Sequence, residues 1–155
     1  MNAPVVCYQP QDPEFAARVR ASFGRQKAMS LIGASLTAVE PGYVEIELPY
    51  HEDLTQQKDY VHDSIVGMIA DSTCGYAAYT LMPATSSLVT VEYKINLLSP
   101  AVGERLVARG EVIKPGRTLS VTRAEVYARQ GARMVQVAAM QQTLMTLSDT
   151  PDTPE

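Results

Sequence analysis

Cysteine and long apolar runs are scarce in this sequence. Its 155 residues include only two cysteines, Cys7 and Cys74, and no tryptophan. The two cysteines fit no disulfide or metal-binding spacing, so we expect free thiols in a reducing compartment. No run approaches the roughly 20 apolar residues of a membrane-spanning helix, and the first residues lack the charged and apolar regions of a secretory signal. These absences favour a cytoplasmic protein that does not enter the membrane.

Charge of one sign is not concentrated anywhere in the chain. The formal net charge is −4 at pH 7, and lysine and arginine are scattered. A nucleic-acid-binding protein would carry a basic patch or stripe, so the composition argues against that class. The sequence is still compatible with a local basic pocket for a phosphorylated ligand. The length of 155 residues is typical of a single domain whose core needs no disulfide.

Hydrophobic periodicity and turn residues divide the chain into helices and strands. Asp12 followed by Pro13 is typical of a helix start, and Pro41-Gly42 is a turn dipeptide. From Val89 to Leu97, apolar and polar residues alternate as in a half-buried strand. We predict, in order, an extended leader over residues 1–12, an amphipathic helix over 13–29, strands over 31–40 and 43–48, a polar loop over 51–60, a long helix over 61–81, strands over 89–97, 104–113, 118–129 and 133–147, and a frayed tail over 148–155.

The predicted order is a short helix, two strands, a long helix and four strands. Segregation of the long helix from antiparallel strands is typical of the α+β class. We predict one domain over residues 13–147, with a six-stranded antiparallel sheet wrapped around one long central helix and a short N-terminal helix outside it. The spacing of the last four strands suggests an antiparallel meander.

Asp71 is a lone carboxylate in the middle of the long predicted helix. On a helix it shares a face with Gly67, Cys74, Gly75 and Ala78, the smallest side chains of the segment. One interpretation is an acid satisfied by a hydroxyl or a backbone donor in a tight helix contact. The other, which we favour, is a functional carboxylate in a narrow cleft.

The N-terminus of the same helix is a second candidate chemical feature. Helix N-termini present free N–H groups and a partial positive charge, so those near Asp63 and Ser64 could stabilise the oxyanion of an acyl-transfer intermediate. At about 1.5 Å per residue, Asp63 and Asp71 are about 12 Å apart along the axis. One carbonyl group cannot reach both. Catalysis from this helix therefore requires two antiparallel copies of it, and hence a dimer.

The ordered set of motifs resembles the hotdog-fold acyl-CoA thioesterases of the phenylacetate-pathway (PaaI) type. The family signature is His-Gly-Gly followed by a helix that carries an acidic residue. The similarity extends from about Phe15 to Leu147 and includes Pro41-Gly42-Tyr43-Val44, residues His62 to Asp71, the strand from Val89 to Asn96 with Ser99-Pro100 after it, and Lys114-Pro115-Gly116-Arg117-Thr118.

The resemblance implies a role for each matching residue. His62 matches the signature His, Asp63 and Ser64 stand at the two glycine positions, and Asp71 matches the catalytic acid. The backbone N–H of Asp63 would polarise the thioester carbonyl, and Asp71 of the partner chain would act as general base or nucleophile. The family also implies a loop amide that orients the carbonyl or the water, matched by Gln56, and a strand hydroxyl that positions the water, matched by Thr90.

The resemblance further implies a set of residues that binds the substrate and its coenzyme A. This set comprises Ser64, Asn96, Lys114, Arg117 and Thr118. For the residues of the turn at 114–118, the alternative is that they are solvated and bind no ligand. We expect His62 to order the loop by hydrogen bonding rather than to act as an acid or base. Asp63 could simply cap the helix, or its side chain could weaken carbonyl polarisation where the family has glycine.

These observations predict hydrolysis of an acyl-CoA thioester to a carboxylic acid and free coenzyme A. We expect no metal or redox cofactor, since coenzyme A enters only as part of the substrate. The expected assembly is a homodimer or a dimer of dimers, without nucleic-acid or membrane partners. One alternative is a hotdog protein that binds an acyl-thioester without hydrolysing it, as a sensor or carrier. Hydration of enoyl thioesters is a weaker alternative, because the helix offers no paired Asp and His.

Overall fold

The computed structural model describes residues 7–153. Its elements are α1 (Phe15–Arg25), α2 (Lys27–Ile32), β1 (Ser35–Glu40), β2 (Tyr43–Pro49), α3 (Asp63–Tyr79), β3 (Ser87–Leu97), β4 (Arg105–Lys114), β5 (Leu119–Gln130) and β6 (Arg133–Leu147). The predicted α+β class, with six antiparallel strands and one long helix, is confirmed. In the described part of the chain, no helix has the length and apolar character that a membrane span needs.

The six strands form one antiparallel sheet in the order β1-β2-β4-β5-β6-β3. Strands β4, β5 and β6 follow one another as a meander, but the predicted four-strand meander was wrong at its first strand. Strand β3 instead pairs with β6 at the far edge, and β2 pairs with β4. The reason is α3, which packs across the middle of the sheet. The chain therefore leaves the sheet at β2 and re-enters it at the opposite edge.

Helix α3 supplies the centre of the hydrophobic core. Val66, Ile69 and Ala77 are buried against the sheet, whose facing side chains are mostly alanine and valine. Strand β4 approaches the helix most closely at Gly110, where a Cβ atom would lie 2.7 Å from the backbone oxygen of Thr73. Real Cβ atoms do not come that close to other heavy atoms, so this glycine permits the observed packing of helix on sheet.

The predicted helix over residues 13–29 begins later than expected and is broken. Asp12 Oδ1 accepts a hydrogen bond from the backbone N–H of Glu14 at 2.9 Å. This interaction forms a turn at Asp12 and Pro13, and α1 starts only at Phe15. The Asp-Pro pair therefore marks the approach to the helix rather than its first turn.

The predicted strand over residues 31–40 was wrong in its first part. Leu31 and Ile32 complete the second helix, α2, and β1 starts at Ser35. Gly33 ends α2 with a φ angle of 76°, a left-handed conformation that glycine adopts without strain. Two consecutive apolar residues suggested a strand, but the glycine that follows them is a helix C-cap.

Arg18 of α1 binds the C-terminal end of α3. Its guanidinium donates hydrogen bonds to the carbonyl oxygens of Tyr79, Met82 and Pro83 at 3.2, 2.7 and 2.8 Å. It also stacks on the ring of Tyr79, and Asp12 Oδ2 lies 2.8 Å from its Nε as an ion pair. A positive charge at a helix C-terminus complements the helix dipole. This contact fixes α1 beside the second half of α3.

A β-bulge interrupts β3 between Thr90 and Glu92. Thr90 pairs with Leu144 of β6 and Glu92 pairs with Thr143, so Val91 is an extra residue with no partner in the ladder. An extra residue reverses the alternation of side chains between the two faces of a strand. Thr90 therefore points to the same face as residues 93, 95 and 97.

The bulge changes which apolar side chains share a face. Tyr93 pairs with the buried Gln142, and Ile95 and Leu97 likewise pair with buried residues of β6 on the α3 side of the sheet. Val89 lies on the opposite face, so the predicted single alternation from Val89 to Leu97 was wrong. At this edge the inward face is poorly covered, because Tyr93 is 48% exposed and Leu97 is 52% exposed.

The C-terminal segment returns to α1 after β6. The Asp152 carboxylate accepts a hydrogen bond from the hydroxyl of Ser22 and lies 3.2 Å from the guanidinium of Arg25. The tail predicted to be frayed over residues 148–155 is thus held on α1 at Asp152. Residues 154–155, like residues 1–6 of the predicted leader, lie outside the described part of the chain.

Candidate active site

Asp71 is held by two side chains of the sheet. Thr90 Oγ1 of β3 donates a hydrogen bond to Asp71 Oδ1 at 2.9 Å. Gln142 Nε2 of β6 donates to the same carboxylate oxygen at 2.5 Å and to Thr90 Oγ1 at 2.8 Å. The structure thus brings together Asp71 and Thr90, two of the predicted catalytic residues. Within residues 7–153, no side chain or backbone group donates to Asp71 Oδ2, so that oxygen is free for a water or a substrate.

Gln142 is a site residue that the sequence interpretation missed. Its side chain is fully buried, and it occupies an inward position of β6 between the buried apolar residues Met140 and Leu144. A glutamine at a position that alternation assigns to the core was the available signal, because buried polar side chains need partners. The sequence alone could not show that its partner is Asp71, since the two residues are 71 positions apart.

A cavity of about 220 Å³ opens beside Asp71 and runs along α3. Thr90 and Leu88 of β3 line one side, and Gly75 and Tyr76 of α3 line another. The far wall is polar and comes from α1 and the C-terminal segment, through Ser22, Gln26 and Asp152. Gly75 leaves room in the middle of this cavity. Of the small residues that share a face with Asp71, Gly75 therefore lines this cavity.

The titratable groups around this cavity other than the carboxylates are neutral near pH 7. Burial raises the pKa of the Tyr76 hydroxyl and that of the Tyr79 hydroxyl. Burial also raises the pKa of the Cys74 thiol to about 12. Cys74 is therefore a packing residue rather than a nucleophile. Among the described residues, no group of three His, Cys, Asp or Glu side chains is arranged to hold a metal ion.

His62 is the N-cap residue of α3, and Asp63 is its first helical residue. His62 Nδ1 accepts a hydrogen bond from the backbone N–H of Ser64 at 3.1 Å, as expected for a loop-ordering histidine. Asp63 Oδ1 accepts a second hydrogen bond from the same N–H at 3.0 Å. The Asp63 N–H itself donates no hydrogen bond to any residue between 7 and 153. Of the two predicted oxyanion donors, only the Asp63 N–H is therefore unoccupied.

A second cavity of about 530 Å³ lies at this end of the helix. It is lined by Gln56, His62 and Asp63, and by the exposed strand end at Leu97 and Leu98. Gln56 Oε1 accepts a hydrogen bond from the Lys58 N–H at 2.7 Å, which leaves its NH₂ group as the available donor. The structure thus gathers three of the predicted catalytic residues around the helix N-terminus.

The two clusters of predicted catalytic residues lie in different cavities of the same chain. Asp71 and Thr90 line the first cavity, whereas Gln56, His62 and Asp63 line the second. Asp71 lies eight positions after Asp63 on the helix, which corresponds to about 12 Å. One thioester carbonyl cannot contact both clusters within one subunit.

The predicted binding residues for coenzyme A are more dispersed. The side chain of Asn96 accepts a hydrogen bond from Lys94 on the outer face of β3, and Ser64 is exposed at the start of α3. Lys114 is the exposed last residue of β4, and Arg117 and Thr118 lie in the exposed turn that follows it. Arg117 lines a third cavity of about 410 Å³ at the C-terminal end of α3.

Comparison with known proteins identifies the family. A family model described as the thioesterase superfamily matches residues 59–135, which include α3 and strands β3 to β5. A thioesterase family protein of Silicibacter pomeroyi has a solved structure that is 46% identical, with a TM-score of 0.85, and the match covers 86% of this chain and 98% of that one. A curated protein of Halobacterium salinarum, named provisionally as an esterase, is 27% identical over 116 residues, 72% of this chain and 76% of that protein.

A more distant structure supports the fold alone. The PaaI protein of Escherichia coli, from the phenylacetic acid degradation operon, is 15% identical, with a TM-score of 0.81 over 91% of this chain and 99% of that one. The predicted hotdog fold is therefore confirmed. Because this chain matches a 46% identical thioesterase family protein along almost the whole length of that protein, it belongs to the thioesterase superfamily.

Proposed function

We propose that the protein hydrolyses acyl-CoA thioesters to a carboxylic acid and free coenzyme A. The observation that carries this proposal is the half-buried carboxylate of Asp71. Thr90 and Gln142 hold one of its oxygens at the wall of a cavity. A carboxylate fixed in this way, with its second oxygen free, is suited to act as a general base. Membership of the thioesterase superfamily supports thioester hydrolysis as the reaction.

We propose further that the active unit is a homodimer formed through β3. This strand is an edge of the sheet, and an unpaired edge offers its N–H and C=O groups to another strand. A two-fold axis near Tyr93 would set the end of β3 that carries Thr90 beside the opposite end of the partner's β3, near Leu97 of the partner subunit. The Asp71 cluster of one subunit would then face the helix N-terminus of the other. The same contact would cover Tyr93 and Leu97, which are exposed on the inward face.

In the proposed reaction the thioester carbonyl lies between the two subunits. The N–H of Asp63 and the amide of Gln56 would donate hydrogen bonds to the carbonyl oxygen, assisted by the positive end of the helix dipole. The partner's Asp71 would accept a proton from a water through Oδ2 while the water oxygen attacks the carbonyl carbon. The carbon–sulfur bond then breaks, and the proton passes to the departing thiolate. No metal or redox cofactor enters this reaction.

Thr90 has a somewhat different part in this proposal from the one that the resemblance implies. Its hydroxyl proton is directed to Asp71 Oδ1, and its oxygen accepts the Gln142 amide. A hydroxyl engaged in both ways holds the carboxylate rather than the water. We therefore propose that Thr90 holds the Asp71 carboxylate by a hydrogen bond.

The first cavity would hold the acyl group. Its volume is only about 220 Å³. Short or compact acyl groups should therefore be preferred over long fatty acyl chains. The basic turn at Lys114 and Arg117, with Thr118, would bind phosphates of coenzyme A. A substrate of this class fits the cytoplasmic location that the sequence favours.

The decisive experiment is release of free coenzyme A from a panel of acyl-CoAs of increasing acyl length. We expect turnover by the wild type and a loss of at least about 100-fold in kcat for Asp71→Asn, because general-base catalysis contributes that much or more. Substrate binding, measured by calorimetry, should survive in Asp71→Asn. A matched control is Asp53→Asn, whose side chain is 83% exposed. The exposed Cys7 would react with a chromogenic disulfide, so the loss of thioester absorbance is the better assay.

The second candidate function is binding of an acyl-thioester without turnover. The observation in its favour is the carboxylate of Asp63, at a position where the family has glycine. This side chain is 59% exposed at the helix N-terminus. A negative charge there opposes the development of an oxyanion. Binding without release for every acyl group tested would establish this function and refute hydrolysis.

A further inference from the structure

We propose that Gln142 is a positioning residue that fixes the orientation of the Asp71 carboxylate. The proposal rests on the function proposed above and concerns the side of the site that the sequence did not reveal. Gln142 does not line the cavity that holds the acyl group, so it acts on the reaction only through Asp71.

The hydrogen bonds converge on one oxygen of the carboxylate. Thr90 Oγ1 and Gln142 Nε2 both donate to Asp71 Oδ1, at 2.9 and 2.5 Å. Gln142 Nε2 also donates to Thr90 Oγ1 at 2.8 Å, which directs the hydroxyl proton of Thr90 toward the carboxylate. With Oδ1 held from two strands, rotation of the carboxylate is blocked and Oδ2 is presented to the cavity.

The orientation of the Gln142 amide follows from its neighbours. If its oxygen and nitrogen were exchanged, Oε1 would face a carboxylate oxygen and two acceptors would be in contact. The other groups near Asp71 do not change this conclusion, since Cys74 is neutral, with its pKa raised to about 12 by burial. Tyr76 and Asp152 lie farther along the cavity, on α3 and the C-terminal segment. The amide therefore serves Asp71 as a donor.

The amide oxygen of Gln142 indicates that this side chain does not increase the stability of the fold. Gln142 Oε1 is buried and has no hydrogen-bond partner among residues 7–153. An unsatisfied buried carbonyl is destabilising, and the neighbouring inward residues Met140 and Leu144 show that an apolar side chain suits this row. A polar residue that destabilises its own site yet binds the proposed catalytic carboxylate is expected where function and stability conflict.

Replacement of the amide by an apolar side chain of similar length tests the proposal. We expect Gln142→Met to lower kcat about 10- to 100-fold, because small misplacements of a catalytic group have effects of that size. KM should change less than about twofold, since Gln142 touches no substrate in this geometry. The melting temperature should stay the same or rise. Gln141→Met, on the next and outward-facing residue of β6, should leave kcat and melting temperature near wild type.

A shorter amide provides a second variant. Gln142→Asn keeps the polar group but withdraws it by one methylene, beyond reach of Asp71. It should therefore lose kcat as Gln142→Met does. Full activity of either folded variant would overturn the proposal. So would a loss of kcat that is matched by a large fall in melting temperature in both variants, because that result would assign Gln142 a structural role.

Crystal structures of the wild type and of Gln142→Met test positioning without turnover. We expect the Asp71 carboxylate to rotate away from Thr90 in the variant. A carboxylate that keeps its orientation on Thr90 alone would overturn the proposal even if kcat falls. If the wild type hydrolyses no acyl-CoA but the carboxylate rotates in the variant, hydrolysis is refuted while the positioning of Asp71 by Gln142 is supported.

Discussion

Cys74 lies one helical turn beyond Asp71 and is completely buried. Its thiol packs between α3 and the sheet, and burial raises its pKa to about 12. Cys7, by contrast, is exposed. Thiolate, not thiol, reacts with disulfides, so the two cysteines should differ sharply in reactivity although both are free thiols.

We predict that a chromogenic disulfide modifies one thiol per native chain at pH 8 and two per unfolded chain. Cys7→Ala should abolish the native reaction, and Cys74→Ala should leave it unchanged. Rapid modification of Cys74 in the native chain would show that the core around α3 opens easily, contrary to its burial.

The same burial predicts an alkaline loss of stability. In the unfolded chain the Cys74 thiol ionises near its ordinary value of 9.0, whereas in the folded chain it stays protonated up to about pH 12. The free energy of unfolding should therefore fall as pH rises between these values, because only the unfolded chain releases the proton. Urea denaturation of Cys7→Ala and Cys74→Ala at pH 8 and pH 10.5 isolates the effect, since Tyr43, whose pKa is also raised to about 12, is common to both. An equal loss in both variants would contradict it.

At the scale of residues, the sequence predicted the groups that stand out chemically but not those that support them. Asp71 was found because a carboxylate is unusual in a helix of small and apolar residues. Thr90 followed from the family resemblance, and the structure joins it to Asp71. Gln142 was missed because a single glutamine in a long strand is unremarkable until its neighbours across the core are known.

At the scale of elements, the closest approach of helix and sheet is at Gly110. A Cβ there would lie 2.7 Å from both the backbone oxygen and Cγ2 of Thr73. Thr73 is fully buried and its hydroxyl bonds back to the Ile69 carbonyl, so it cannot move aside. The spacing between α3 and β4 is therefore fixed by the absence of one methyl group.

We predict that Gly110→Ala lowers the free energy of unfolding by about 2 kcal/mol, the usual effect of overpacking a core. Gly24→Ala is the matched control, because a Cβ at Gly24 meets nothing within 4 Å and alanine favours a helix by roughly 0.5–1 kcal/mol. Urea denaturation of the two variants should therefore give changes of opposite sign. Equal stability of Gly110→Ala and wild type would mean that α3 can shift on the sheet.

The sequence predicted long, regular elements well and short or irregular ones poorly. The bounds of β6 were correct to the residue, and α3 was predicted with only its ends too long. The helix α2 was missed because it has only six residues and its apolar pair resembles a strand start. The bulge in β3 was also missed, since an extra residue leaves no mark in a sequence whose apolar residues alternate on both sides of it.

At the scale of the whole molecule, the two clusters of predicted catalytic residues are separated within the chain, and the proposed dimer is what would join them. A substitution at Asp63 can remove the N–H that is the proposed oxyanion donor. Asp63 is the first residue of α3, where proline is tolerated, and His62 before it has the extended backbone that proline requires. Asp63→Pro therefore removes the N–H without breaking the helix.

We predict that homodimers of Asp63→Pro and of Asp71→Asn are both nearly inactive. When equal amounts are unfolded, mixed and refolded together, random pairing should restore about one quarter of wild-type activity, because half of the dimers are hybrids with one intact site of two. Mass spectrometry of the mixture confirms that hybrids form. Hybrids without activity, or a fully active monomer, would contradict the shared site.

The extra residue in β3 has a consequence for how this strand can change over generations. Point substitutions at Thr90 or Tyr93 alter one side chain at a time. Deletion of Val91 would leave a regular ladder, because Thr90, Glu92 and Tyr93 already pair with the consecutive residues Leu144, Thr143 and Gln142 of β6. Thr90 and Tyr93 would then still both face α3. A strand of the present length without the bulge would instead turn one of them outward, so natural relatives that keep both on this face should either retain the bulge or lack the extra residue.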